Sequence, residues 1–373
     1  MKNAFDVIII GAGVAGCHLG SLLASQGVKT LLIEKSRKVK RDSGIVSKDI
    51  EKFVRLDKSL IKLKIKRMKF VSPSGKFFTL NSGEPFAYLL NREKFGKHMR
   101  NLARSSGAKI IYADCSAVDY AKNFVEAVAD GKKYYAKIVV GCDGAGSVVR
   151  KSLAIKSPKI FYGVMSSGEP AKKSSDIEIH FNKFCSPHFF SWSIPQAKEA
   201  GIIVKKDPVE YMRYFIKRIG FSAKKSFMSP IPIGHVKSFG ERALLVGDSC
   251  GQVKPVSGGG IIYSLRCSEI AAKFIKIAIE KNDFSEPFLK GYEKSWKKQL
   301  LADIRLQMLC RNLYRKMSNK DIDDLFSIIG SEIENISDFE YDKLSTIVWK
   351  LPKKTILKCA VRYIPLMFEW SHD

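Results

Sequence analysis

The sequence predicts an α/β fold that combines a Rossmann-type parallel sheet, an inserted antiparallel β-sheet and a helical C-terminal region. Apolar segments at residues 6–10, 136–140 and 242–246 each run into a glycine-containing turn, as strands of such parallel sheets do. Residues 153–240 differ, because aromatic and β-branched segments there are separated by proline and glycine, which favours an antiparallel sheet. From residue 286 onward, apolar side chains recur at helical spacing.

The first strand ends in a glycine-rich turn that precedes a predicted helix. Gly11 permits the tight turn, Gly13 lets the backbone approach a pyrophosphate, and Gly16 lets the helix pack closely. A second apolar strand ends at Glu34, where such folds place a carboxylate that binds a ribose. A purely structural glycine turn is the alternative, but strand, helix, second strand and acid together favour a dinucleotide site. The predicted contacts of this segment are Gly11, Gly13, Ala15, Gly16, Glu34 and Lys35.

A polar turn at Ser43 and Gly44 follows the basic stretch 35–41, and we expect it to lead into a helix ending near Leu56. Turn residues at 72–75 then indicate a β-hairpin. The next expected elements are hairpin strands at 67–71 and 76–80, a helix opened by Arg92 and ending near 106, and strands at 109–112 and near 124–135.

The second half of the chain repeats the pattern of a strand that delivers an aspartate to a turn. Asp143 and Gly144 follow one apolar strand, and Gly247 and Asp248 follow another. The expected elements around them are antiparallel strands near 176–181, 189–194 and 201–204, a helix at 208–219, a long helix after Gly258, Gly259 and Gly260, and a helix capped near Asn319 and Asp321.

These elements predict three regions. Residues 1–65, 92–152 and 241–285 form a discontinuous cofactor-binding domain, residues 66–91 and 153–240 form an antiparallel-sheet substrate domain, and residues 286–373 form a helical C-terminal region.

Composition narrows the partners. The 373 residues include 45% hydrophobic residues, enough for a sizeable core, and carry a formal net charge of +27. That charge favours anionic partners such as a lipid surface, although a solvated basic surface is the alternative. The basic residues are spread along the chain and are not interleaved with an aromatic platform, so we expect no nucleic acid partner.

The eight cysteines form no CxxC pair and no metal-like spacing, so no metal site is expected and most should be buried hydrophobes. The first strand begins within a few residues of Met1, without the pattern of a secretory signal. No run of 18 apolar residues is present. We therefore expect a cytoplasmic monomer, with peripheral association at the inner face of the cell membrane as a further expectation.

The order of these motifs resembles that of flavoproteins with the glutathione-reductase-type FAD-binding fold, and the whole chain resembles the geranylgeranyl reductase family. The segment 247–260 is similar to the family stretch GDAxGxxxPxxGGG, with Ser249 and Cys250 in place of the usual small residues. The resemblance implies FAD contacts at Ser43, Gly44, Arg92, Asp143, Gly144, Gly247, Asp248, Pro255, Gly258, Gly259 and Gly260. For Asp143 and Asp248, turn or helix capping is the structural alternative.

An aromatic motif in the inserted sheet also resembles the family. The resemblance implies substrate contacts at Phe190, Trp192 and Pro195, although Ile194 stands where the family has phenylalanine. Flavin-dependent halogenases carry a related Trp-x-Trp-x-Ile-Pro motif, which keeps them as a rival. Ser43 also departs from the family, because many members have cysteine there.

The resemblance implies an FAD-dependent reductase that saturates geranylgeranyl chains on membrane lipids or their precursors, by hydride transfer from reduced flavin. The external electron donor would be NADPH, NADH or ferredoxin, and the alternative is a flavin-dependent monooxygenase or halogenase acting on an aromatic substrate. A non-catalytic FAD-containing membrane-binding protein is a third hypothesis. The catalytic residues stay unknown, because a water or flavin-adjacent group is as suitable a proton donor as Tyr88, Tyr162 or His188. The segment Ile356–Trp370 could lie in a membrane interface or dock on the protein's own core.

Overall fold

The computed structural model describes residues 3–39, 43–172 and 174–367. The strands are β1 (Ala4–Ile10), β2 (Thr30–Glu34), β3 (Ile45–Ser47), β4 (Ile61–Ile65), β5 (Arg67–Val71), β6 (Phe77–Asn81), β7 (Ala87–Leu90), β8 (Lys109–Tyr112), β9 (Cys115–Tyr120), β10 (Val125–Ala129), β11 (Lys132–Gly141), β12 (Lys159–Pro170), β13 (Ile177–His180), β14 (Ser191–Ile194), β15 (Glu199–Val204), β16 (Phe221–Ile233), β17 (Phe239–Gly240) and β18 (Ala243–Leu245). The helices are α1 (Val14–Ala24), α2 (Arg92–Ser105), α3 (Val148–Ser152), α4 (Pro208–Ile219), α5 (Ile261–Lys281), α6 (Glu286–Lys316), α7 (Asn319–Glu334), α8 (Leu344–Val348) and α9 (Lys353–Tyr363).

The first sheet is the predicted cofactor sheet. Its strand order is β17-β18-β11-β1-β2-β8, and β18, β11, β1, β2 and β8 run parallel. The carboxyl-terminal halves of the central strands β1 and β11 are apolar and buried because both faces of the sheet are covered. Helices α1, α2, α5 and α6 pack on one face, while α3, β9 and β10 cover the other. The carboxyl ends of β1, β11 and β18 therefore deliver the three predicted turns to one edge.

The second sheet is the predicted antiparallel insert, with strand order β16-β12-β15-β14-β13-β5-β6. The hairpin β5–β6 joins it through parallel pairing of β5 with β13. Helix α4 covers one face of the sheet through Met212 and Phe215. On the opposite face, Trp192, Ile194 and Ile203 pack in an apolar cluster. The cluster also contains Val253, from the glycine-containing loop before α5, called here the glycine loop.

A third, three-stranded sheet has the order β3-β7-β4. It corrects the helix expected to end near Leu56: after β3 the chain makes only a short 3₁₀ turn over Lys48–Lys52, capped by Ser47. The cause is tertiary pairing, because β3 hydrogen-bonds to β7, and Val46 and Ser47 are buried there. Strand β7 thus pairs with strands on the other side of the predicted boundary at 65/66.

The C-terminal region is helical, as expected. Helix α6 buries Tyr292 and Trp296 against the cofactor domain. The cap of α7 lies one residue earlier than expected, because Ser318 and Asp321 form a reciprocal capping box. Within the described ranges, no helix is long and apolar enough to cross a bilayer. The expected interfacial segment is described only as far as residue 367.

Candidate FAD site

The glycine-rich turn is shaped by close backbone contacts. Gly11 has φ +97°, and a Cβ atom built on it would lie 2.4 Å from the Cys142 carbonyl oxygen. A Cβ on Gly16 would lie 2.0 Å from the Gly11 carbonyl oxygen, so both positions require glycine. At Gly13, by contrast, a Cβ would meet nothing within 4 Å, which leaves the turn open where α1 begins.

Glu34 lies directly beside this turn. Its Oε2 accepts a hydrogen bond from the Ala12 amide at 2.8 Å, and Oε1 accepts one from the Ser36 amide at 2.9 Å. The buried Arg100 guanidinium adds an ion pair at 3.7 Å and donates to the Ala12 carbonyl at 3.2 Å. A carboxylate held in this position can accept hydrogen bonds from the hydroxyl groups of a ribose. Lys35 follows it and is exposed.

Asp143 shapes the second turn. Its Oδ2 accepts hydrogen bonds from the amides of Val148 at 2.7 Å and Val149 at 3.3 Å, which is the capping alternative weighed from the sequence. Its Oδ1 is buried and accepts no hydrogen bond from any described residue, and burial raises the pKa of the carboxyl. Gly144 has φ +77°, and a Cβ there would meet nothing within 4 Å. The turn is therefore open beside an acceptor that can receive a further hydrogen bond.

The third turn is held in contact with the first two. Gly247 donates its amide to Gln252 Oε1 at 2.7 Å, and a Cβ on Gly247 would lie 3.5 Å from the Ala15 Cβ. Arg150, buried on α3, donates from Nη1 to the Ser249 carbonyl at 2.7 Å and from Nη2 to the Ala145 carbonyl at 2.8 Å. Arg150 thus ties the Asp143 turn to the Asp248 turn.

The glycine loop before α5 completes the edge. Gly258 has φ +67°, and its amide donates to the Lys254 carbonyl at 2.8 Å. Gly260 is the N-cap of α5 and has no side-chain cap; a Cβ on it would lie 3.1 Å from Asp248 Oδ1. Pro255 is buried, and Gly259 packs against the Lys254 side chain. The N-terminus of α5 therefore faces the Asp248 turn.

Gly44 and Arg92 are also neighbours. Gly44 has φ +70°, and a Cβ there would lie 2.7 Å from the Arg92 Cδ, so glycine allows the arginine stem to pass. Ser43 is half-buried beside it. The structure thus brings the predicted loop and the predicted arginine together.

The aromatic motif faces the cluster that contains the glycine loop. Trp192 is 8% exposed and lies over Gly201 of the neighbouring strand, where a Cβ would come within 2.2 Å of Trp192 Cζ2. Phe190 packs against the same cluster, and Pro195 begins a short 3₁₀ turn after β14. The indole Nε1 is buried without a hydrogen-bond acceptor among the described residues.

The cysteines of these segments are buried thiols. Burial raises the pKa of Cys17 to about 12 and raises the pKa values of Cys250 and Cys267 above their usual range. These thiols therefore stay protonated and act in packing, as the sequence suggested.

The residues present fit FAD. Helices α1 and α5 both start at glycines without side-chain caps, and such N-termini bind phosphate through free amides. The open space at Gly13 and Gly144 and the available Asp143 Oδ1 lie along the same edge.

Sequence reasoning missed three residues of this site. They are Arg100, Arg150 and Gln252: the two arginines donate to backbone carbonyls distant in sequence, and the Gln252 side chain accepts from the nearby Gly247 amide. Of these three, only Arg150 could be noticed in the sequence, because it lies in the first turn of the helix that follows Asp143 and is capped by Ser147.

Comparisons with known proteins bear on the fold and on the cofactor. The FAD binding domain family matches residues 4–226. The digeranylgeranylglycerophospholipid reductase of Methanocaldococcus jannaschii is 27% identical, over 90% of this chain and 93% of its own length. The enzyme of the same name from Methanococcus aeolicus is 29% identical, with the same coverage.

Solved structures show the same fold. A geranylgeranyl bacteriochlorophyll reductase-like protein from Thermoplasma acidophilum superposes with a TM-score of 0.87 at 21% identity, covering 98% of this chain and 99% of its own. A mutant of halogenase PltM in complex with FAD gives a TM-score of 0.69 at 15% identity, covering 87% of this chain and 79% of its own. The predicted fold class, the predicted cofactor FAD and the resemblance to geranylgeranyl reductases are confirmed. The chain belongs to the FAD binding domain family.

Proposed function

We propose that this protein is an FAD-dependent reductase that saturates double bonds of geranylgeranyl chains on membrane lipids or their precursors. The face of the second sheet that bears Trp192, Ile203 and Phe161 is here called the apolar wall. The observation that carries the proposal is the contact between this wall and the glycine loop before α5. A Cβ on Gly258 would lie 3.1 Å from Ile231 Cγ2 and 3.3 Å from Ile203 Cδ1, so the wall meets the proposed cofactor loop. The names of the curated relatives support the same substrate class.

We assign to the site residues the cofactor contacts expected from the sequence. The first glycine turn, Glu34 and Arg92 would hold the nucleotide end of FAD, while the Asp143, Asp248 and Gly258–Gly260 turns would hold the rest. Once reduced, bound FAD would supply the electron pair, as hydride, that an alkene needs for reduction, and a proton would complete the addition. The donor of those electrons would be external: NADPH, NADH or ferredoxin.

The chain's own contribution would be orientation and exclusion of water. An isolated alkene offers no polar group for a side chain to bind, so positioning in an apolar environment must supply much of the catalysis. Trp192, Ile203 and Phe161 form a buried apolar wall suited to a prenyl chain.

Two of the three candidate proton donors, Tyr88 and His188, have surroundings that argue against that role. Tyr88 donates to Glu51 Oε1 at 3.0 Å, and burial raises its pKa to about 12. Burial and then neighbouring cations lower the pKa of His188 to about 4, so this ring is neutral at physiological pH. Neither is poised to release a proton near pH 7, and we therefore propose Tyr162, a water or a group next to the cofactor as the donor.

We also propose that α9 contacts an anionic membrane surface. Leu357 and Val361 on one face of this helix are 64% and 70% exposed, and Ile364 just after it is 48% exposed. Exposed basic residues flank this apolar face, namely Lys350, Lys353, Lys354, Lys358 and Arg362. An apolar strip bordered by cations fits the interface of a bilayer with acidic headgroups. The opposite face of α9 docks on the protein's own core, because Tyr363 is 1% exposed and donates to the Asp321 carbonyl at 3.1 Å, so the proposed membrane contact concerns only the exposed face.

The test of the reductase is anaerobic turnover. Dithionite-reduced holoenzyme is mixed with a geranylgeranylated glycerophospholipid, and the lipid is analysed by mass spectrometry. We expect the gain of two hydrogens for each double bond reduced; an unchanged lipid with stoichiometric reduced FAD would contradict the proposal.

The rival oxygen-dependent chemistry is favoured by one observation, the halogenase-like Ile194, which is fully buried behind Trp192 in the same wall. It predicts that an aromatic substrate is hydroxylated or halogenated when dioxygen, and halide for halogenation, are supplied. No such product is expected if the reductase proposal is correct.

A further inference from the structure

One arginine that packs against the apolar wall is buried, and it forms no ion pair with any residue of the described ranges. Arg311 lies on α6 and is 5% exposed. Its Nε and Nη2 atoms are buried and, among residues 3–39, 43–172 and 174–367, have no hydrogen-bond acceptor. A buried guanidinium is stabilised by pairing and by full hydrogen bonding, so these donors indicate a ligand.

Two aromatic rings pack against this guanidinium. The Arg311 Cζ lies 4.2 Å from the Phe161 ring centroid and 4.4 Å from the Phe189 ring centroid. Contacts with ring faces bind a cation but accept no conventional hydrogen bond, so the N–H groups at the guanidinium edge keep their capacity for an oxyanion. The rings therefore orient the donors without consuming them.

The surroundings are positively charged. His188 stands edge-on to Phe161, with ring centroids 5.9 Å apart. Burial and then four cations, Arg315, Lys183, Arg311 and Lys205, lower the pKa of His188. Burial, followed by Arg315, also lowers the pKa of Arg311 to about 10. Such a concentration of cations favours binding of an anion.

The position connects this group to the wall. Phe161 and Phe189 belong to the same buried cluster as Trp192, Ile203 and Val253, which lines the glycine loop. A prenyl chain lying on the wall could therefore place a polar head at Arg311 while its alkenes face the cofactor loop.

We propose that Arg311, oriented by Phe161 and Phe189, binds the phosphate group of a prenylated substrate. This inference rests on the proposed reductase function and deepens it, because it restricts the substrate to phosphate-bearing prenyl compounds. The phosphate could belong to a glycerophospholipid or to a free prenyl diphosphate, which share the same oxyanion chemistry. Arg311 is a binding residue in this proposal and takes no part in electron or proton transfer.

The test compares charged and neutral ligands on the FAD-loaded full chain. Binding of a geranylgeranylated glycerophospholipid, geranylgeranyl diphosphate and neutral geranylgeraniol is followed by quenching of tryptophan fluorescence. We expect at least one phosphate-bearing ligand to bind about 30-fold or more tightly than the alcohol, as truncation of buried charge pairs implies. Tighter binding of only one of the two identifies the source of the phosphate. Equal affinity for all three ligands overturns the proposal without any variant.

Variants then assign the preference to Arg311. Arg311→Gln should remove most of the preference, and Arg311→Lys should retain part of it, because lysine keeps the charge but not the planar donors. Arg305→Gln, an exposed arginine on the same helix, is the matched control and should keep the wild-type preference. A folded Arg311→Gln protein with an unchanged preference overturns the proposal.

Turnover separates this inference from the reductase proposal. Arg311→Gln should raise KM for the phosphate-bearing substrate while kcat changes little, as for a group that binds ground state and transition state alike. Loss of phosphate binding in a protein that reduces no alkene would refute the reductase and leave the anion site standing. Alkene reduction with the same KM in wild type and Arg311→Gln would refute the anion site alone.

Discussion

Lys254 and Asp342 form a buried ion pair, with Nζ 2.7 Å from Oδ1, between the glycine loop and the segment before α8. Lys254 is 8% and Asp342 is 6% exposed, and the ammonium lies 4.6 Å from the Tyr341 ring centroid. The ion pair therefore links the proposed cofactor loop, which contains Lys254, to the C-terminal region, which contains Asp342.

Removing one partner should be costly. Asp342→Ala leaves the Lys254 charge buried and unpaired, and we expect the free energy of unfolding to fall by about 3–5 kcal/mol in urea titrations. The control is Asp338→Ala, because Asp338 pairs with Lys350 at 96% side-chain exposure and its loss should cost at most about 1 kcal/mol. Equal effects of the two variants would show that the buried pair has no special role.

Two glycines of the first turn should respond differently. Gly13→Ala should leave the unfolding free energy of the apoprotein within about 1 kcal/mol, because its Cβ meets nothing within 4 Å, and should weaken FAD binding by filling the space of the pyrophosphate. Gly16→Ala should destabilise the fold itself, because its Cβ would overlap the Gly11 carbonyl. Urea unfolding and FAD titration measure the two effects, and unchanged FAD affinity in Gly13→Ala would place the pyrophosphate elsewhere.

Substitution of Gly201 tests whether Trp192 in the apolar wall lines the substrate site. Gly201→Ala pushes a Cβ into the Trp192 ring, and we expect about 1–3 kcal/mol of destabilisation together with reduced turnover of a prenyl substrate at unchanged FAD affinity. Gly83→Ala is the control, since its Cβ would meet nothing within 4 Å. Full turnover in Gly201→Ala would argue that Trp192 does not line the substrate site.

His18 should make stability depend on pH. Burial lowers its pKa from 6.5 to about 4, so between these pH values the unfolded chain binds more protons than the folded one. Stability from this group is complete above pH 6.5 and is lost as pH falls toward 4, amounting to about 2 kcal/mol between pH 7.5 and 5. His18→Leu should remove that part of the dependence in urea unfolding at the two pH values; an identical slope in wild type and variant would contradict it.

The exposed face of α9 should govern membrane association. Replacing Leu357 and Val361 by glutamate should abolish co-sedimentation with vesicles containing acidic phospholipid, because it removes apolar contact and adds repulsion. The control is glutamate at Val209 on α4, an apolar residue that is 81% exposed, and it should leave vesicle binding unchanged. Binding that survives the α9 changes would locate the membrane contact on another surface.

Much of this architecture could be predicted from the sequence because its signals are local. Apolar runs that end in glycine turns specify the parallel strands, and the Pro208 start of α4 with Gly220 after it specifies that helix. The turn after β3 could not be predicted, because pairing with β7 overrides the local preference of residues 48–56. Gly44 and Arg92 could each be singled out from the sequence, although their contact could not, whereas Arg100, Arg150 and Arg311 act through partners distant in sequence and carry little or no local signal.

The contact between α1 and α5 also bears on how the protein is made. Ser268 on α5 donates a hydrogen bond to the Ala15 carbonyl at 3.1 Å, and Gly247 packs beside the same alanine. A ribosome synthesises the chain from its N-terminus, so the glycine turn emerges long before the elements that press against it. The nascent chain must therefore carry an incomplete form of the proposed cofactor pocket until residue 268 has left the exit tunnel, and the pocket can close around FAD only after that point.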